Sequence, residues 1–268
     1  MIVVNDNDFK LDNMKQPNYH LTHVIDTQTV TPNMQRLTLQ SDAFAGFPAE
    51  CEGGYIKLLF DKAGSTDLSG LAEGERPVMR TYTIRRFMPS QQQIEVDMVR
   101  HQIEQADCGF AARWALNAQV GDTINIAGPG TIAPINQDAD WFFMVADMTA
   151  LPALSAKIKT LPRDAKGYAV VQLDAEEDAQ PLDAPAGMEI IWLTTPTLAE
   201  TVKAQPWLAG QVSVWCACEF ESMRALRQYF RNDHDVEREF IYISSYWKNG
   251  VTEEGHKVIK REDAENNQ

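Results

Sequence analysis

Residues 80–86 read RTYTIRR, inside the longer run RPVMRTYTIRRF (76–87). As a strand, alternation places Arg80, Tyr82, Ile84 and Arg86 on one face and Thr81, Thr83 and Arg85 on the other. Neither face is apolar, and burying cations and hydroxyls without partners is costly. Two readings stand side by side: an edge strand with solvated arginines, or a strand whose polar groups hold a ligand. An arginine fork suits phosphate oxygens. A tyrosine ring can lie against a heteroaromatic system, and a threonine hydroxyl can bond a ring nitrogen. Together the three suit a dinucleotide with a flat redox ring. Spacing alone does not choose between the readings.

The surroundings of this stretch read as strands and turns. Candidate strands cover 19–30, 33–40 (NMQRLTLQ), 54–60 (GYIKLLF), 79–86, 93–100 (QIEVDMVR) and 122–127 (DTINIA). Ile94, Val96 and Met98 alternate, as do Ile124 and Ile126, and Gly or Pro breaks separate many of the runs. This pattern predicts an antiparallel six-stranded β-barrel, interrupted by one short helix at about 109–117.

After residue 136 the rhythm changes. WFFMVA (141–146) is continuously apolar, and Leu151, Leu154, Ile158 and Leu161 then recur at helical spacing, with Pro152 suited to a first helical turn. YAVVQL (168–173), EIIWL (189–193), VSVWCA (212–217) and FIYIS (240–244) continue the strands. Helices are expected near 197–204 and over 219–230. Apolar strands alternating with helices predict an open parallel α/β sheet covered on both faces. The expected organisation is a barrel domain over 17–135, an α/β domain over 136–257 and a disordered tail over 258–268. The acidic stretch 174–183 (DAEEDAQPLD) reads as a solvated loop.

Bulk properties bound the function. The chain has 268 residues and a formal net charge of −14. No clustered basic footprint points to nucleic acid, and an anionic ligand needs local cations. No apolar run has membrane-spanning length, and the first residues lack the basic start and apolar core of a signal peptide. A cytoplasmic protein without stable membrane insertion is expected. Cys51, Cys108, Cys216 and Cys218 form no CxxC pair and read as buried reduced thiols. The histidines show no metal spacing, and no GxSxG, HExxH or Walker motif is present.

RTYTIR resembles the R-x-Y-[ST]-x-R flavin-binding signature of the ferredoxin-reductase-like superfamily. GYIKLLF (54–60), DMTALPAL (147–154), CGFAARWALNAQVGDTINIAGPG (108–130), CEFESMRALRQYFRND (218–233) and YWKNG (246–250) occur around it. In that order they are similar to segments of the siderophore-interacting protein family, which contains FAD-dependent ferric-siderophore reductases. The resemblance runs from about residue 19 to 251. It implies FAD as cofactor, with Arg80 on the pyrophosphate, Tyr82 beside the isoalloxazine and Thr83 near the reactive flavin nitrogen. His101 would lie near the ring. Gly109, Ala111 and Ala112 would offer helix N-terminal amides to the pyrophosphate. Thr149 and Ala150 would contact the adenosine end of FAD or the nicotinamide cofactor. Lys57 and Lys248 would supply positive charge to a ferric siderophore; read without the resemblance, both are snorkelling surface lysines.

Departures from the family pattern fall at Gln102 (for Gly), Phe110 (for Pro), Met148 (for Glu), Cys218 (for Gly) and Gly130 (for an Arg). The implied reaction passes electrons from NADH or NADPH, or from ferredoxin as partner, through FAD to siderophore-bound Fe(III), and needs no acid or base catalyst. Two alternatives are a general NAD(P)H-dependent flavin or ferredoxin-type oxidoreductase and a non-catalytic siderophore-binding protein.

Overall fold

The computed structural model describes residues 19–100 and 109–266. Its first sheet contains β1 (His20–Thr31), β2 (Met34–Gln40), β3 (Tyr55–Phe60), β4 (Val78–Thr83), β5 (Arg86–Met88), β6 (Gln93–Val99) and β7 (Thr123–Gly130). The order is β4-β3-β7-β1-β2-β6-β5, and the pairs are antiparallel. The two edge strands are consecutive in the chain. Ile84 exchanges backbone hydrogen bonds with Gly53 and Gly54, and the next amide, Arg85, donates to Glu95 of β6 at 2.8 Å. The chain thus leaves β3 and joins β6 within one residue. That step closes the sheet and leaves no free edge there. Counted as one bent strand, β4 and β5 give the six strands read from the sequence.

The barrel is filled by Val24, Leu37, Phe44, Ile56, Leu58, Phe60, Ile94 and Ile126, all fully buried. Each such side chain stabilises the fold by about 1.5–3 kcal/mol. The helix α1 (Phe110–Asn117) covers one end, with Ala111 and Ala115 in the same core.

The second sheet is wholly parallel. It holds β8 (Trp141–Ala146), β9 (Lys166–Gln172), β10 (Gly187–Leu193), β11 (Val212–Glu219) and β12 (Ile241–Trp247), in the order β10-β9-β8-β11-β12. All of β8 is buried. Phe142, Met144 and Ala146 face the core that holds α2 (Leu151–Ile158), whereas Trp141, Phe143 and Val145 face the core under α3 (Leu198–Ala204) and α4 (Phe220–Arg227). Two buried faces are why this strand reads as a continuous apolar run. Gly167 is required where β9 pairs with β8: it has φ +135° and an added Cβ would lie 2.0 Å from the Phe142 carbonyl oxygen.

Two sequence expectations are corrected. The disordered tail expected over 258–268 is corrected as far as residue 266, because α5 runs over Glu253–Asn266. Tertiary contacts hold this polar helix. Arg227 grips Asp263 through two bonds of 2.6 and 2.8 Å, Lys260 reaches the Ser244 hydroxyl at 2.7 Å, and His256 shares a 2.8 Å hydrogen bond with Ser245. The acidic stretch 174–183 is not simply a solvated loop either. Asp178 at its centre is fully buried and accepts from Thr31 Oγ1, Asn33 N and Asn33 Nδ2 in the β1–β2 turn. It thereby pins the barrel to the α/β domain. Met34 extends the same junction, packing into the core of the second domain.

Candidate functional site

Parallel sheets bind ligands beyond the carboxyl ends of their strands, where the strand order reverses. Here that point lies between β8 and β11. The chain leaves β8 through Asp147, which is buried and accepts from Thr149 N (2.9 Å), Thr149 Oγ1 (2.6 Å) and Ala150 N (3.3 Å) on one oxygen. The other oxygen accepts from Trp247 Nε1 at 2.8 Å. Asp147 therefore couples the loop before α2 to the end of β12. Burial raises its carboxyl above the ordinary range; the bonds from Thr149, Trp247 and Ala150 only partly oppose this. Ala150 is fully buried, so its side chain faces the core and not a ligand. Thr149 is half-buried, with its hydroxyl proton committed to Asp147.

At the end of β11, Glu219 caps α4 by accepting from Glu221 N (2.6 Å) and Ser222 N (3.2 Å), and it also takes Asn249 N at 3.3 Å. That bond fixes the turn carrying Lys248. The Lys248 ammonium lies 4.4 Å from the centre of the Phe220 ring and pairs with Glu221 at 2.5 Å. Trp247 is 39% exposed, so its indole N–H anchors the strand while part of its ring faces solvent.

On the barrel side, Arg80 and Tyr82 share the face of β4 that meets Leu58 and Ile56, while Thr81 and Thr83 share the face opposite Lys57 and Tyr55. The Arg80 guanidinium sits 6.0 Å from the ring of Phe110, the first residue of α1. Gly109 is the N-cap of that helix, has open space where a side chain would project, and leaves the helix start without a side-chain cap. Among the described residues the first-turn amides have no partner, and such amides beside a half-buried arginine suit an anion. Ala111 and Ala112 are buried, so they can bring only backbone N–H groups to it. Thr83 is buried and Tyr82 packs partly on the barrel core. His101, assigned beside the ring from the sequence, lies outside the described residues.

Among the described residues, Lys57 has no hydrogen bond or ion pair. It stands directly across from Thr81. Thr81 Oγ1 bonds Glu253 at 3.0 Å, which ties the segment after Lys248 to the strand beside Lys57. Gly130, which departs from the family pattern, is explained by Tyr55: an added Cβ would lie 2.1 Å from the tyrosine ring. The ring fills the space a side chain at 130 would need. Arg85 and Arg86 turn toward the carboxylates of β6. They lie 3.8 Å from Asp97 and Glu95 of β6 respectively, and Asp97 also takes Arg36 through bonds of 2.6 and 2.8 Å.

Sequence reading missed Asp147, Glu219, Glu253 and Glu254 as site-forming residues. The signal for Asp147 was present: an Asp two residues before a Thr, ahead of a helix with Pro in its first turn, is an Asx-turn pattern.

Comparison with known proteins matches these two domains separately. Residues 23–133 match the siderophore-interacting FAD-binding domain, and residues 139–250 match the siderophore-interacting protein domain. The chain is 34% identical to the ferric vibriobactin reductase ViuB of Vibrio cholerae, over 85% of this chain and 88% of that one. It is 26% identical to the NADPH-dependent ferric-chelate reductase of Escherichia coli, over 84% and 91%. The crystal structure of the siderophore-interacting protein SipS from Aeromonas hydrophila superposes with a TM-score of 0.80 at 30% identity, covering 92% of this chain and 98% of that one. With its ferredoxin-reductase-like barrel and parallel sheet, the chain belongs to the siderophore-interacting protein family.

Proposed function

We propose that this protein is an FAD-dependent ferric-siderophore reductase, taking electrons from NAD(P)H and delivering them to siderophore-bound Fe(III). One observation carries the reading: Arg80 and the start of α1 meet on the barrel, on the strand that Glu253 and Glu254 tie to the segment after β12. Bound FAD would supply a carrier that accepts two electrons and releases them singly. Its phosphates fit Arg80 and the amides of Phe110, Ala111 and Ala112, and Tyr82 and Thr83 follow along the same strand. The open space at Gly109 lets a phosphate approach the backbone.

The substrate side is read from charge. In a chain of net charge −14, Lys57 has no partner among the described residues and Lys248 is held by an exposed glutamate, and the Thr81–Glu253 bond links the strand beside the one to the segment after the other. They favour an anionic chelate beside the flavin. Fe(II) binds hard oxygen ligands far less tightly than Fe(III), so reduction alone releases the metal and no acid or base catalyst is needed. The named relatives support ferric chelates as acceptors, and the Escherichia coli one supports NADPH as donor. A ferredoxin donor is the second possibility to test. Among the described residues no helix is long and apolar enough to cross a membrane, and we place the reaction in the cytoplasm, where the nicotinamide pool is.

The test is anaerobic stopped-flow on the FAD-loaded protein, with NADH, NADPH and reduced ferredoxin as donors and ferric siderophores or ferricyanide as acceptors. Flavin reduction by a nicotinamide, then reoxidation by ferric siderophore that slows at least several-fold in K57A or K248A, is the expected result. Failure to bind FAD, or equal slowing with ferricyanide, overturns the reading.

A further inference from the structure

Arg80 is already held by a carboxylate. Its Nη1 donates to Glu254 at 2.5 Å and to the Met79 carbonyl at 2.9 Å. The two partners differ in exposure: the Arg80 side chain is 17% exposed and that of Glu254 is 56% exposed. Glu254 lies in the first turn of α5, where the helix dipole favours a negative charge without needing the arginine. Burial is the largest single influence on the Glu254 carboxyl and raises it, but the Arg80 bond, a backbone amide and the charges of Arg80 and Lys257 together outweigh it and hold the carboxyl below its ordinary range. The neighbouring Glu253 accepts from Thr81 N and Oγ1 and from Lys257, so the start of α5 stays seated on β4 without Glu254.

We infer that Glu254 is an exchangeable counter-ion which occupies Arg80 and competes with the FAD pyrophosphate for it, setting the affinity of the protein for its flavin. This rests on the reading of Arg80 as the phosphate arginine. The physical argument is short. A half-buried guanidinium needs an anion, and the only carboxylate that reaches it among the described residues is one that can return to water at little cost. A phosphate on Arg80 would also bring a second negative charge to within a few ångströms of Glu254, which favours departure of the carboxylate. The sign follows: removing the Glu254 charge strengthens FAD binding, although it deletes an ion pair.

The experiment titrates the full-length apoprotein with FAD, following flavin fluorescence, for wild type, E254Q, E262Q and R80A. E262Q makes the same change in net charge on the same helix, at an exposed position without an ion pair among the described residues. E254Q is expected to lower the FAD dissociation constant roughly three- to tenfold at low salt, with the gain shrinking toward none near 1 M salt. E262Q should leave it unchanged, and R80A should raise it by at least tenfold. Unchanged or weaker FAD binding in E254Q, with R80A impaired, overturns the counter-ion role alone. FAD binding unaffected by R80A overturns the underlying reading. E254K checks that the effect is charge and not folding: with α5 intact by circular dichroism, it should bind FAD at least as tightly as E254Q, and weaker binding than wild type overturns the inference.

Discussion

Asp147 and Asp178 both follow central strands of the parallel sheet, both are buried, and both accept four hydrogen bonds from neutral donors. Yet their carboxyls move in opposite directions. Burial pushes both up. On Asp178 the bonds from Asn33, Thr31 and the backbone win, and the group stays below the ordinary range. On Asp147 they do not win. Depth of desolvation comes first in the difference: Asp147 lies deeper in the protein than Asp178, so a similar set of bonds offsets less of its cost, and the placing of the donors adds to this. Asp178 takes two donors on each oxygen. Asp147 crowds three onto one oxygen, the third at 3.3 Å, and leaves the other with a single indole N–H. A full set of hydrogen bonds therefore does not guarantee a comfortable charge. The settled carboxylate locks two domains together, and the strained one sits at the ligand crevice, where perturbed groups gather.

The harshest way to break this comparison is to delete the lock. D178A strands two backbone amides and two side-chain donors in a half-buried junction, at a cost on the order of 2–4 kcal/mol. It should also split unfolding into two transitions, one per domain. Calorimetry reads both effects, and a single transition within about 1 kcal/mol of wild type would show that the hydrophobic seam around Met34 suffices.

A change of pH sharpens the comparison further. A carboxyl raised on folding binds protons more readily in the native state, so its contribution to stability grows as pH falls through that raised value. A carboxyl lowered on folding does the reverse: its contribution is complete above the ordinary carboxylate range and is lost as pH falls below it. Urea unfolding of wild type, D147N and D178N from neutral to acidic pH should show wild type gaining on D147N and losing ground to D178N. Two differences that move the same way would sink the assignment of opposite shifts.

The large features were legible because each follows from local chemistry. Trp141–Ala146 is apolar on both faces because both faces are covered, and no amphipathic alternative competes. The opening RTYTIRR was legible as a strand that holds something, but not as one that changes partner at Ile84, because that step depends on Gly53 and Gly54 and on Glu95 far along the chain. Asp178 was hidden inside an acidic stretch whose composition is that of a solvated loop; its partners, Thr31 and Asn33, are more than a hundred residues away. The tail was misread for a related reason. Its charges look solvated, yet Asp263 and Lys260 find Arg227 and Ser244 only once the helix is docked. Thr252 followed by Glu253 and Glu254 was a helix-start signal in plain sight.

The gentlest probe separates geometry from charge at Asp147. W247F keeps an aromatic ring at the end of β12 but removes the only donor that the second Asp147 oxygen has among the described residues. The loss in stability should be small, about 0.5–1.5 kcal/mol, and the Asp147 carboxyl should rise further, extending the acid-side gain to higher pH. Function should respond more than stability. The indole bond is what joins the loop at Thr149 to the residue next to Lys248, so its loss loosens the lysine without touching the barrel. The expected signature is a several-fold rise in KM for a ferric siderophore, with the FAD dissociation constant and the kcat for ferricyanide unchanged. If KM for the siderophore stays put while stability falls, Asp147 serves the fold of this loop and not the placement of Lys248.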